Sequence, residues 1–164
     1  MKALTSALVA TMWLGAAVAA QQAAPPAPAN WTAPTPTPNA IRPQQDGYKQ
    51  DAVEFTLAPG EGMEYKYGLN SGAAFIYSWT ADGLLHFEMH SVPDGAPSTF
   101  AETFEKLDDR PAGHGSYTAP FTGIHGWYWQ NKTDKPVTLK MTTAGFYTQS
   151  QEFRRGAKPR MRTF

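Results

Sequence analysis

Four histidines lie between His86 and His125, and they are the side chains best suited to chemistry at neutral pH. His86, Glu88 and His90 stand at i, i+2 and i+4. On a strand they project from one face, about 6.5–7 Å apart per step. Metal–imidazole bonds are about 2 Å long, so His86 and His90 cannot close on one ion unaided. His125, on an aromatic strand, and His114, in a polar glycine-rich stretch, are the partners on offer. A thiol-free, imidazole-rich set suits copper, zinc or nickel, with Met63 and Met89 as thioether neighbours. The sequence therefore offers a metal centre of His90 and His125, with His86 or Glu88 as the next ligand. The alternative is that these histidines only pack and hydrogen-bond.

Other chemistry is thinner. No Gly-x-Ser-x-Gly segment marks a nucleophile. Glu102, Glu105, Asp108 and Asp109 make an acidic run without EF-hand spacing. Trp79, Trp127 and Trp129 are either sugar-stacking platforms or core aromatics.

The elements that must position these groups read as strands. Val53–Leu57 alternates, then Ala58-Pro59-Gly60-Glu61-Gly62 turns. Met63, Tyr65, Tyr67 and Leu69 share a face, as do Phe75, Tyr77 and Trp79. Asp82-Gly83 predicts a hairpin between a third strand, 73–81, and a fourth, 84–92. Residues 99–107 fit a strand or a short helix, and 108–115 fit a loop. In Gly123–Gln130, His125 shares a face with Trp127 and Trp129. Asn131–Lys135 carries turn residues, and Pro136 precedes the alternating Val137–Thr142, so this pair reads as a second hairpin. Many strands and no amphipathic helix predict an all-β fold, an antiparallel β-sandwich in a single domain.

The flanks are different in kind. Met1-Lys2, an apolar run to Ala20 and small residues at its end predict an export signal cleaved before Ala20 or Gln21. A retained membrane anchor is the other reading. Residues 21–50 hold seven prolines with Ala, Thr and Gln, and read as an extended linker. The folded domain is expected over 51–153. Residues 154–164 form a basic tail, either solvated or in contact with anionic lipid. The 164 residues carry 14 basic and 14 acidic side chains, a balance that argues against nucleic-acid binding. There is no cysteine, so a periplasmic or secreted chain must hold itself together by its core.

Phe55–Gly62, Tyr77-Ser78-Trp79-Thr80-Ala81-Asp82-Gly83, His90 and Phe121–Asp134 follow one another in an order that resembles a group of small bacterial envelope proteins described as membrane-anchor proteins. More distantly, the chain resembles the GOLD domain of early-secretory cargo proteins, a β-sandwich. The resemblance spans Val53 to Tyr147, and His90 and His125 match histidines of the bacterial group. It implies a GOLD-like or jelly-roll-like sandwich acting as a non-catalytic accessory domain with an envelope protein partner. The GOLD cysteines are absent, and the group lends no activity. A small hydrolase using a histidine–carboxylate pair, or a carbohydrate-binding module, are the rival classes.

Overall fold

The computed structural model describes residues 41–97 and 99–164. The export signal and most of the linker lie outside the described residues. The remainder is an all-β antiparallel fold without helix among the described residues. Its strands are β1 (Lys49–Leu57), β2 (Gly62–Leu69), β3 (Ala74–Pro93), β4 (Glu102–Thr118), β5 (Gly123–Gln130), β6 (Val137–Gly145), β7 (Gln149–Arg154) and β8 (Arg160–Thr163). They pair in the order β1-β6-β3-β5-β2-β7-β8, and β4 lies along β3.

β3 explains the architecture. Its first half pairs with β6, from Phe75↔Gly145 to Ala81↔Leu139. Its second half pairs with β5, from His86↔Gln130 to Pro93↔Gly123. β4 runs beside both halves, and its register slips between Thr80 and Leu85. A strand that bends at such an irregularity belongs to both layers of a sandwich. The two halves of the sheet face one another, with Tyr77 against Trp127 at 4.7 Å, Trp79 against Trp129 at 6.0 Å and Phe55 against Tyr65 at 5.2 Å between ring centroids.

Asp82-Gly83 is therefore no hairpin. It marks the bend within one twenty-residue strand. The Thr138 amide donates to Asp82 Oδ1 at 2.7 Å, fastening the bend to the start of β6. A side chain at Gly83 would begin 2.6 Å from Val137, so the same bend needs a residue without Cβ. The pattern Asp-Gly marks a place without room for a side chain, and a strand corner against Val137 meets it as well as a turn does.

The second expected hairpin is also absent. β5 pairs with β2 and β3, and β6 pairs with β1 and β3, so residues 131–136 cross between the two layers. Asn131, fully buried, pins that crossing: its Nδ2 donates to the carbonyls of Leu57 (3.0 Å) and Lys135 (2.7 Å), and its Oδ1 accepts from the Thr133 amide and hydroxyl. Residues 99–107, left open between strand and short helix, lie for the most part in β4, a seventeen-residue strand with little burial, and 108–115, expected as a loop, lie wholly within it. Asp109, at φ 54°, marks its irregularity.

The basic tail is part of the sheet. β8 pairs with β7 from Gln149↔Thr163 to Glu152↔Arg160, and Phe164 packs edge-on against Tyr147 at 4.9 Å. At the other end the fold starts at Lys49, two residues before the expected boundary.

Candidate functional site

Sheet register decides which histidines can meet. In an antiparallel ladder, directly opposed residues project from the same face. Ser91 opposes His125, and His90 opposes Gly126. His125 therefore belongs with Ser91, Met89, Trp127 and Trp129 on the core face. His86, Glu88 and His90 belong to the outer face. The proposed ligand pair His90 and His125 is split by the thickness of the sheet, and this corrects the metal centre expected from the sequence. Among the described residues, no three His, Cys, Asp or Glu side chains converge as metal ligands. Spacing along one strand was legible, but the side of the sheet given to the second strand depends on register.

Each histidine has its own surroundings. His86, the next ligand in that expectation, turns its Nδ1 to Asp108 Oδ1 at 2.7 Å, and Lys132 Nζ reaches the same oxygen at 2.6 Å. The hydrogen bonds from Lys132 and then His86 hold the Asp108 carboxyl below its ordinary pKa. Glu88 accepts from Thr103 Oγ1 at 2.7 Å and pairs with Lys106 at 3.0 Å. Burial would raise its pKa, but these two partners outweigh that and leave it lowered.

His90 lies in a row with Gly126 and Lys66, since Lys66 also opposes Gly126. The glycine between them leaves room above β5 for both long side chains. It also lets β5 approach β2 so closely that a Cβ there would stand 2.2 Å from the Tyr65 carbonyl oxygen. Lys66 is buried, at 2% exposure, with Glu64 Oε2 3.3 Å from its Nζ. Burial lowers the Lys66 pKa, and Glu64 opposes the shift. Burial, followed by the Lys66 charge, lowers the His90 pKa. The 3.8 Å separation of His90 Nε2 from Glu64 Oε2 is thus a contact of a neutral ring, and Glu64 is the counter-ion of Lys66.

His125 is fully buried. Its Nδ1 lies 2.8 Å from the Tyr117 hydroxyl, which is 3.3 Å from Ser91 Oγ. Its Nε2 has no hydrogen-bond partner among the described residues. Burial drops its pKa to about 4. The native ring then binds fewer protons than the unfolded one, whose pKa is about 6.5. His125 contributes stability that is whole above pH 6.5 and is lost as pH falls from 6.5 toward 4, and the lowered pKa of His90 acts in the same direction. We expect denaturant-derived stability to decline over that range, by up to about 3 kcal/mol from His125 alone. The ring C–H signals of His125, followed by NMR, should stay at their neutral position down to about pH 5. A His125 resonance titrating near 6.5 would refute the burial argument.

A constellation that the histidines concealed lies between the layers at the other end. Asp51 Oδ2 accepts from the hydroxyls of Tyr65 (2.9 Å) and Tyr67 (3.1 Å), and Arg162 of β8 pairs with Oδ1. Tyr65 is also 2.8 Å from Ser150 Oγ, and Thr143 Oγ1 stands 3.0 Å from the Tyr67 hydroxyl and 3.1 Å from that of Tyr147, with one proton to share between them. Desolvation pushes the Tyr65 phenol up to about 12, so it is a donor at any physiological pH. One signal pointed here: Asp51 falls in phase with Val53, Phe55 and Leu57, so an acid occupies a core-facing position.

The three tryptophans are core residues. Trp79, Trp127 and Trp129 are at most 1% exposed, which removes them as open stacking platforms. The large apolar side chains left outside include Ile76 (61% exposed) and Tyr48 (58%). These two flank a groove of about 280 Å³ with Ala74, Tyr117, Ala144 and Phe146.

No protein-family model matches the chain, and no curated protein matches it. Among solved structures, a chain of the infectious bursal disease virus Gx strain aligns with a TM-score of 0.24 and 8% identity, covering 82% of this chain. The chain spans about half (49%) the length of that viral chain.

Proposed function

We propose that the chain is an exported, non-catalytic binding or accessory domain of the bacterial envelope, which holds a protein partner against the outer face of its β1-β6-β3 half. The groove of Tyr48, Ile76 and Phe146 carries this reading. The fold buries each of its three sandwich tryptophans, yet leaves an isoleucine and a tyrosine side by side in water. Contiguous exposed apolar surface of this kind is typical of a protein–protein contact. The apolar run at the N-terminus, with small residues at its end, supports export. The surroundings of the histidines favour binding over hydrolysis, because His90 and His125, the two with lowered pKa, stand on opposite faces of the sheet. A hydrolase would set its acid and base around one cleft.

The test compares Ile76→Asp with Leu84→Asp in the exported protein, by fractionation of the envelope under mild extraction. Leu84 is also exposed and lies outside the groove. Both variants should keep the fold, with stability changes within about 0.5 kcal/mol. Ile76→Asp should release the protein from its envelope complex, and Leu84→Asp should not. Equal behaviour of the two, or no complex formed by the wild type, refutes the reading.

A further inference from the structure

Three strands of the sheet have a neighbour on one side only, and they are not equally protected. Among the described residues, β1 pairs only with β6, β8 only with β7 and β4 only with β3. An open strand edge offers unpaired N–H and C=O groups to any other strand, so natural sheets block it with charge, proline, bulges or short length. β8 is four residues long and carries two arginines. β1 carries Lys49 and Glu54, and Arg154 Nη1 donates to its Thr56 carbonyl at 3.3 Å. The first part of β4, residues 102–111, holds six charged side chains, Pro111 and the positive-φ Asp109. Residues 112–118, which run beside the first half of β3, have none of these guards. The sequence there is Ala-Gly-His-Gly-Ser-Tyr-Thr, without carboxylate, ammonium or guanidinium, and all seven residues are exposed or half-buried. Its glycines are fixed from within the fold: Trp79 lies over Gly113 and Tyr77 over Gly115, 2.6 and 3.0 Å from where a Cβ would stand.

We propose that residues 112–118 are a self-association edge, on which a second copy of the chain adds its own β4, antiparallel, about a two-fold axis at Gly115. The unguarded segment is centred on that glycine, so the two-fold maps it onto itself. Ala112 then faces Thr118 of the second copy, Gly113 faces Tyr117 and His114 faces Ser116. No like charges meet, and the one aromatic ring faces a glycine. The new ladder stops before Pro111 on one side and at the end of β4 on the other. A two-fold centred in residues 102–111 would instead draw the Asp109 irregularity and the missing N–H of Pro111 into the ladder. A foreign strand is selected by its side chains, and small uncharged residues offer it little to read; pairing with itself needs only matched length and register. The contact joins two β1-β6-β3-β4 layers into one sheet and leaves the Ile76 groove on its outer face, with Ser116 and Thr118 bordering both. It goes beyond the groove reading, and either can fail without the other.

Sedimentation velocity of the purified exported protein, from about 1 µM to about 500 µM, reads the contact. A seven-residue edge ladder is a small interface, so the wild type should pass from monomer to dimer with a Kd on the order of 10–100 µM. The double variant His114→Lys/Ser116→Lys sets four lysines beside the axis and should raise that Kd by about tenfold or more. Ile76→Asp should leave it within about twofold, because Ile76 lies one strand in from the edge and its charge is screened. The chain has no cysteine, so introduced single thiols report the register. Oxidation of a mixture of His114→Cys and Ser116→Cys should give mainly the mixed dimer, because those two positions face each other within disulfide reach, whereas each is about 7–8 Å from its own counterpart. A wild type that stays monomeric throughout that range overturns the proposal. So does a dimer that survives the lysines, which would place the contact elsewhere, or one that Ile76→Asp abolishes, which would place it in the groove. Crosslinking as efficient in either thiol variant alone overturns the axis at Gly115.

Discussion

Trp79→Ala is expected to destabilise the fold by about 3–5 kcal/mol. The ring is 1% exposed. It meets Phe87 edge-on at 5.3 Å and Trp129 at 6.0 Å. Phe87 and Trp79 are both on β3, one on each side of the bend, so the indole is packed inside the angle that the strand makes. Removing it empties the corner, and a sheet already committed to β4, β5 and β6 along β3 has little freedom to collapse into the space. Since single domains are stable by about 5–15 kcal/mol, the variant should be near the edge of folding at 37 °C. The indole N–H makes no hydrogen bond among the described residues, so Trp79→Phe loses volume without stranding a polar partner and should cost about half as much. Urea unfolding measures both. A loss below about 1 kcal/mol for Trp79→Ala would mean that the corner is held by its backbone pairing and not by its filling.

That corner also shows where the sequence was legible and where it was not. Alternation placed Met63, Tyr65, Tyr67 and Leu69 on one face, and Phe75, Tyr77 and Trp79 on another, and all seven point inward in the structure, Tyr77 half-buried and the others buried. Side-chain period is a local property, and burial enforces it residue by residue. The same reading split β3 at Asp82-Gly83, because a glycine after an aspartate satisfies a hairpin and a bend equally. What distinguishes them is the identity of the neighbouring strands: β6 gives way to β5 between Ala81 and His86, and nothing in the local pattern encodes that exchange. The histidine site failed for the same reason. Its first strand was read correctly, with His86, Glu88 and His90 in phase, but one residue of register in β5 sets His125 on the opposite face. The long β4 was missed because it is an exposed strand with Gly113, Gly115 and Pro111 in it, and so has the composition of a loop.

Asp51→Ala should be the second severe substitution, at about 3 kcal/mol, with a consequence at the far end of the chain. The carboxylate is 1% exposed and gathers three donors: Tyr65, Tyr67 and Arg162. Removing it leaves the phenols unequal. Tyr65 keeps Ser150 as a partner, and Tyr67 keeps only Thr143, whose one proton must turn to Tyr147 for its oxygen to accept from Tyr67. Buried hydroxyls left short of an acceptor cost about 1–3 kcal/mol, and the lost charge-assisted bonds add to it. Arg162 is different, being half-exposed at 51%, and returns to water at little cost. Arg162→Ala should therefore be milder, at about 1–2 kcal/mol, because it uncovers the carboxylate as it removes its partner. Both substitutions should loosen β8, whose other anchors include four paired residues, the Phe164 amide donating to the Thr148 carbonyl, the Arg160–Glu152 pair and the contact of Phe164 with Tyr147. Hydrogen exchange of the β7–β8 amides, read beside urea unfolding of the two variants and of the double variant, checks the argument. The double variant should cost about 1 kcal/mol less than the sum of the two single effects, and β8 should exchange freely in all three. If Arg162→Ala costs as much as Asp51→Ala, the ion pair and not the tyrosine pair is what holds the buried carboxylate. If β8 stays protected in both, its pairing with β7 alone keeps the C-terminal strand in the sheet.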